Sequence, residues 1–327
     1  MKKPINKEHI EGYVYDHDLS VRTVQSQTKA DGTPNPNYGK EFIAGKLDVQ
    51  TDEEGINIVT INFTYVTATT SKGARNETFY SLKSIIDGNM TVLKCGAENA
   101  TMVTVDTALG LNDFYTSRSG EETLVSAKRN DGGFVHIVNK LKPDVNARNT
   151  FEFDMLINGA NFIEGDEEKN TTDHVVVKGA VFNFRNAMLP VELVVRNPGG
   201  MKYFENLDAS PSNLIFTKVW GNITNLVMQN EVVEESAFGE AAVKSYDKTI
   251  REWLIVGAAK EPYEIGDEKN GITSDDIKKA MADRETYLAD VKKRQEEYQA
   301  SKNSAPAPAQ SGFAAAGVSA AQGGFNF

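Results

Sequence analysis

The sequence predicts a mainly β protein: two small β-barrels in tandem, then a C-terminal α-helix and a disordered tail. Two observations carry that expectation. The first is strand-type alternation around a mid-strand glycine. Over residues 40–50, Phe42, Ala44, Lys46, Asp48 and Gln50 fall on one face, and Ile43, Gly45, Leu47 and Val49 on the other. Over residues 56–65, Ile56, Ile58, Thr60, Asn62 and Thr64 alternate with Val59, Ile61, Phe63 and Tyr65. Period two is the mark of a half-buried strand. The acidic segment between the runs ends in Gly55 and makes them a hairpin. Gly45 signals a bulge or sharp bend, the device that curls a short sheet into a barrel. The second observation is a weaker copy roughly 125–135 residues later, about one small domain away. There His174 opens a strand containing Gly179, Met188 opens its partner, and Tyr203 and Phe204 echo Phe79 and Tyr80.

The remaining elements follow in order. Residues 9–27 read as one long strand bent near Gly12 or Asp16. Residues 28–40 are rich in Gly, Pro and Asn and form a loop. A short helix-compatible segment, 79–86, ends at Asp87 and Gly88. Strands at 100–106, 122–128 and 133–138 close the first barrel, the last two separated by a turn at Asp131, Gly132 and Gly133. Phe151–Ile157 opens the second barrel, and an acidic loop lies near 164–170. Strands at about 174–184, 189–196, 213–223 and 251–258 complete it. From Thr273 a capping residue and two acids, Asp275 and Asp276, start a helix. Ile277, Met281, Leu288, Val291 and Tyr298 form its apolar stripe, to about Gln299. Residues 301–327 are Ala, Pro, Gly and Ser-rich and cannot build a core. The expected organisation is a first barrel at 1–145, a second at 146–265, the helix at 266–300 and the tail at 301–327.

Composition excludes several classes. One cysteine, Cys95, allows no internal disulfide framework. Four scattered histidines have no metal-ligand spacing, so neither a metal nor a cofactor is expected. The start lacks an apolar run, and no stretch approaches the roughly 20 apolar residues of a membrane span. A cytoplasmic protein is expected, with no membrane partner. Phosphate-binding glycine loops, zinc-protease motifs and nucleophile elbows are missing, so an enzyme is not expected. The net charge of −11 opposes phosphate binding as a sum. Local potential is a separate matter, because basic stretches such as 126–130 alternate with acidic ones such as 231–235.

Three strands, a short helix and two more strands on a glycine-bent barrel resemble the OB-fold. Two such units, a helix and a low-complexity tail ending in Phe325 and Phe327 resemble the phage-type single-stranded DNA-binding protein family. The best local pieces are residues 42–47 with 58–63, and the terminal aromatics. The resemblance implies binding and protection of single-stranded DNA without sequence preference, during phage DNA replication or recombination. For a phage-encoded chain the location would be the host cytoplasm. It also implies that the tail tip, Phe325 and Phe327, docks on replication or recombination proteins, although residues from Ser301 onward contain no Asp or Glu. A phage virion structural protein, a tail or capsid-associated subunit, is the alternative.

Binders of this kind stack bases on aromatics and line the groove with Lys and Arg. Phe42 and Lys46 share an otherwise polar strand face, as a stacking platform or a barrel-end cap. Tyr13 and Tyr15 share a face, with Arg22 further along. Phe182 and Phe184 share one, followed by Arg185, with packing between barrels as the other reading. Lys72, Arg75, Lys128 and Arg129 lie near strand ends, within reach of phosphates or simply solvated. Phe79 and Tyr80 read as core, Trp220 and Trp253 as core or inter-barrel residues.

Overall fold

The computed structural model describes residues 3–29, 31–117, 121–166, 171–234, 242–267 and 271–304; for 226–234, 242–250 and 301–304 it describes the backbone alone. The C-terminal helix continues through residues 301–304 of the expected tail; residues 305–327, with Phe325 and Phe327, lie outside the described residues. The elements, in order, are β1 (Asn6–His17), β2 (Ser20–Thr23), β3 (Glu41–Gln50), β4 (Ile58–Thr67), α1 (Glu77–Gly88), the single turn α2 (Val92–Cys95), β5 (Met102–Thr116), β6 (Thr123–Ile137), β7 (Asn149–Ile163), β8 (His174–Phe182), β9 (Met188–Val195), α3 (Pro198–Asn206), β10 (Ile215–Glu234), β11 (Ala242–Ala258) and α4 (Ser274–Ser304).

The fold is mainly β, and its strands close twice. In the first half β1 pairs with β3 and β5, β3 with β4, and β5 with β6, all antiparallel. A parallel contact between β4 and β6 shuts the ring. The second half repeats the scheme: β7 pairs with β8 and β10, β8 with β9, β10 with β11, and β9 meets β11 in parallel. Each ring carries a helix between its third and fourth strands, which is the OB order. β2 continues β1 after a break at Asp18 and Leu19 and lies along the start of β3. The helices plug their barrels: Phe79, Leu82 and Ile85 of α1, and Phe204 of α3, are buried.

The bends follow from local chemistry. Gly45 has φ +136°, and a Cβ there would lie 2.7 Å from the Asp18 carbonyl, so the close approach of β3 to the β1–β2 corner demands glycine. Opposite it, Ile43 pairs with Val66 and Gly45 with Phe63, so Ala44 faces both Thr64 and Tyr65. That bulge in β4 reverses the alternation expected from the sequence: Tyr65 leaves the face of Ile61 and Phe63 and turns outward, 46% exposed. The expected turn at residues 131–133 is instead a bulge within one long strand, β6. Phe134 pairs with Asp106 and Gly132 with Thr107, leaving Gly133 extra. Gly179 and Gly45 hold different places: Gly179 faces the β7 bulge, paired with Ile157, where the first barrel has Val49 paired with Val14.

The barrels are joined through their first strands. Asn6–Ile10 of β1 pair antiparallel with Asn149–Phe153 of β7, and one apolar cluster runs through both interiors. Polar bonds reinforce the joint. Trp253 Nε1 donates to Glu8 Oε1 at 2.9 Å, Asn57 Nδ2 to the Ile223 carbonyl at 3.1 Å, and Asn225 Nδ2 to the Ile58 carbonyl at 2.8 Å. A second cluster, with Phe182, Met188 and Phe216, is covered by Ile277 and Ala280 at the base of α4. Thr273 and Asp276 cap that helix reciprocally, the Asp276 N–H donating to Thr273 Oγ1 at 3.1 Å. Further along α4, Arg284 grips Asp113 of β5 with two bonds of 2.6 and 2.7 Å.

Candidate nucleic-acid interface

In an OB-type barrel the outer face of the second and third strands is the oligonucleotide-binding surface. In the first barrel these are β3 and β4. The β-pleat directs Ile43, Leu47 and Val49 inward and leaves Phe42, Lys46 and Asp48 outward. Arg22 pairs with Phe42 across β2 and β3, and Phe42 with Thr67 across β3 and β4. The β4 bulge brings Tyr65 beside Phe42, ring centroids 4.7 Å apart at 39°. Lys46, exposed, follows one pair of residues on, opposite Asn62. Arg22, Phe42, Tyr65 and Lys46 therefore form one polar-aromatic patch. The 24–40 loop, with Lys29, Tyr38 and Lys40, and the 68–76 loop, with Lys72 exposed at its tip, leave the barrel at this end. Arg75 closes the second loop by stacking on Tyr80 at 3.4 Å and pairing with Glu77 at 2.8 Å.

The structure separates the other expected residues from this patch. Tyr13 pairs with Gln50, at the far end of β3 from Phe42, and its hydroxyl bonds Glu53 at 3.5 Å. Tyr15 is half-buried at the β1 bulge between Val14 and Asp16. Phe182 is fully buried, so no ring face is left for a base. Its strand ends there, which breaks the expected alternation, and Phe184 projects from the following turn at 69% exposure. Arg185 and Lys3 lie 5.1 and 5.7 Å from the Phe184 ring. Lys128 and Arg129, adjacent on β6, face opposite ways. Arg129 pairs with Asp131 at 2.7 Å, while Lys128 reaches over the Trp253 ring at 4.8 Å and donates to the Glu192 carbonyl at 2.6 Å.

A cavity of about 1850 Å³ lies on the other side of the first barrel, over the β1–β7 joint, and includes Arg129, Phe184 and Arg185. Its lining holds seven carboxylates against five Lys and Arg side chains, the wrong balance for a phosphate backbone. A smaller pocket of about 460 Å³ is lined by Lys128, Asn225, Arg251 and Trp253 at the barrel junction. Arg251 bonds the Ile58 carbonyl at 2.8 Å, which puts this pocket at the lower end of β4, on the strand that carries Tyr65. Burial pushes both the Lys128 and Arg251 pKa values down from their usual range. Tyr65 and Arg251 escape sequence reading. A bulge hides the first, and contacts across most of the chain create the role of the second. Among the described residues no group of three or more His, Cys, Asp or Glu is placed to hold a metal, and no helix is long and apolar enough to cross a membrane.

The second barrel's corresponding strands, β8 and β9, carry Lys178 paired with Glu192 at 3.1 Å, and Pro190, with no exposed aromatic. The two barrels share a topology but present different outer faces.

Comparison with known proteins gives a family and an outline. A family model described as YorF matches residues 17–294. No curated protein matches the chain. Two solved structures share the general outline, both of the single-stranded DNA-binding protein from Thermus aquaticus. The wild type has a TM-score of 0.42 at 11% identity, covering 82% of this chain and 99% of that one. A deletion mutant has a TM-score of 0.44 at 11% identity, covering 82% and 100%. Likeness at this level transfers no function. The family match spans most of the sequence, and the chain belongs to the YorF family.

Proposed function

We propose that this YorF-family chain binds single-stranded DNA without sequence preference, through the outer β3–β4 face of its first barrel. The observation that carries the reading is the Phe42–Tyr65 pair, flanked by Arg22 and Lys46, on the strands an OB-type barrel uses for oligonucleotides. Every base has a π-face, so stacking on Tyr65 and Phe42 is indifferent to sequence. Arg22 and Lys46 supply cations on either side of the rings for the phosphates. Net charge is not local potential: the chain's −11 includes the carboxylate-rich lining of the large cavity, while on the outward face of β3 Lys46 stands beside the single acid Asp48. Protection of strands exposed during phage DNA replication or recombination is the role that fits such binding. The Phe42 and Tyr65 rings sit outside the barrel core, so their removal should act on binding more than on folding.

Fluorescence anisotropy with a labelled oligothymidylate tests this. The parent protein should bind, and affinity should fall as salt rises, because neutralised phosphates release counterions. Phe42→Ala and Tyr65→Ala should each weaken binding by about 1–3 kcal/mol, with nearly unchanged melting temperatures. Undetectable binding at low salt, or preference for duplex, would refute the reading.

A further inference from the structure

We propose that Lys128 and Arg251 form a phosphate-binding pocket at the junction of the two barrels. The inference rests on the strand-binding reading for its source of phosphate, a phosphodiester of the bound strand, and on geometry of its own for the site. The pocket holds about 460 Å³, within the range of a small-ligand site. Two cations line it, and among the described residues neither has a carboxylate within ion-pair distance. Lys128 spends one N–H on the Glu192 carbonyl, and Arg251 spends two, on Ile58 and Asn225. An ammonium has three donors and a guanidinium five, so among the described residues five are left for a ligand. Two partly desolvated cations with spare donors are an unfavourable arrangement for an empty pocket and a favourable one for an anion.

The surrounding charges do not cancel them. Glu192 is paired with Lys178 and Glu252 with Arg196. Glu8, which also faces Arg251, is buried and holds its proton up to about pH 7. Asp48 remains, acting on Arg251 from the outer face of β3. Trp253 is 2% exposed and cannot stack on a base, so the pocket recognises the phosphate and not the nucleobase. Its place fits a strand. Tyr65 and Ile58 are seven residues apart on β4, about 23 Å at strand rise, so a strand stacked on Tyr65 and running down β4 passes Lys46 and reaches the pocket. The second barrel then contributes Arg251 to a track whose aromatics belong to the first.

The test uses the full chain carrying Trp220→Phe, which leaves Trp253 as the sole tryptophan, under the Lys128 ammonium. Titration with inorganic phosphate should change Trp253 emission saturably, and Lys128→Gln and Arg251→Gln should abolish the change. Asp48→Asn should shift saturation to lower phosphate. In oligothymidylate binding, each Gln substitution should flatten the slope of log affinity against log salt by about 0.7. A phosphate response with an unchanged salt slope keeps the pocket and assigns it to a free anion in place of the strand. No phosphate response and no slope change, in variants that melt like the parent, overturn the proposal while leaving strand binding at Phe42 and Tyr65 intact. Conversely, a phosphate response in a protein that binds no oligonucleotide retains the pocket and removes the strand-binding reading. Should Arg251→Gln fail to fold, Arg251→Lys keeps the charge and loses the planar fork. It should weaken phosphate binding while holding the salt slope.

Discussion

Glu8 is a carboxyl group in the wrong solvent. It is buried in the joint between the barrels, and loss of water raises its pKa from 4.5 to about 7, against the lowering effect of bonds from Trp253 and Thr107. The native state therefore holds a proton that the unfolded chain releases between about pH 4.5 and 7. Stability should be greatest below that window, fall as pH rises through it and level off above about 7. Glu8→Gln keeps an acceptor for Trp253, and its amide N–H can donate to Thr107 Oγ1 in place of the bond that Thr107 now donates, without the charge. It should raise stability at pH 8 by up to about 3 kcal/mol and change little at pH 5, as read from denaturant midpoints at the two pH values. An equal effect at both would mean that Glu8 stays ionised in the fold.

At the scale of elements, α4 is held on the first barrel by a clamp. The Arg284 guanidinium meets Asp113 with two bonds, at side-chain exposures of 10% and 1%, and Gln295 spans the backbone of Tyr115 with two more. Arg284→Ala leaves a buried carboxylate without its partner, a loss of about 3–5 kcal/mol if the helix stays in place. Release of the helix is the cheaper response. Amide exchange in residues 283–298 should accelerate while the core strands β1 and β7 keep their protection; unchanged exchange in α4 would show that the clamp is dispensable. The helix itself was legible from Thr273, Asp275 and Asp276, as were both barrels from their alternation and the Phe42–Lys46 face. Alternation misplaced Tyr65 because a two-for-one bulge reverses parity within a strand. Gly132 and Gly133 read as a turn, which places Lys128 and Arg129 near a strand end; the bulge there carries β6 on through both glycines, and the two side chains take opposite faces. Alternation passed over Arg251, whose bond to Ile58 spans 193 residues of chain. What a sequence states locally, it states well here; what depends on how distant strands meet, it does not state.

Over the whole molecule, the charges are unevenly placed. The stacking patch and junction pocket hold Arg22, Lys46, Lys128 and Arg251, while the large cavity is carboxylate-rich. The strongest global constraint is the pairing of Asn6–Ile10 with Asn149–Phe153. A pair of barrels tethered within one polypeptide cannot fall apart on dilution, whatever its concentration. The same economy makes each half a poor candidate for life alone. Cutting after residue 145 would bare the backbone donors and acceptors of Lys7, His9 and Glu11 along an open edge, a template for another strand. A fragment of residues 1–145 should therefore elute in size-exclusion chromatography as a self-paired dimer or larger species, and Lys7→Pro, which removes one of the donors that face β7, should shift it toward monomer. Elution of the unmodified fragment as a monomer at all concentrations would mean that the exposed edge finds cover within its own barrel.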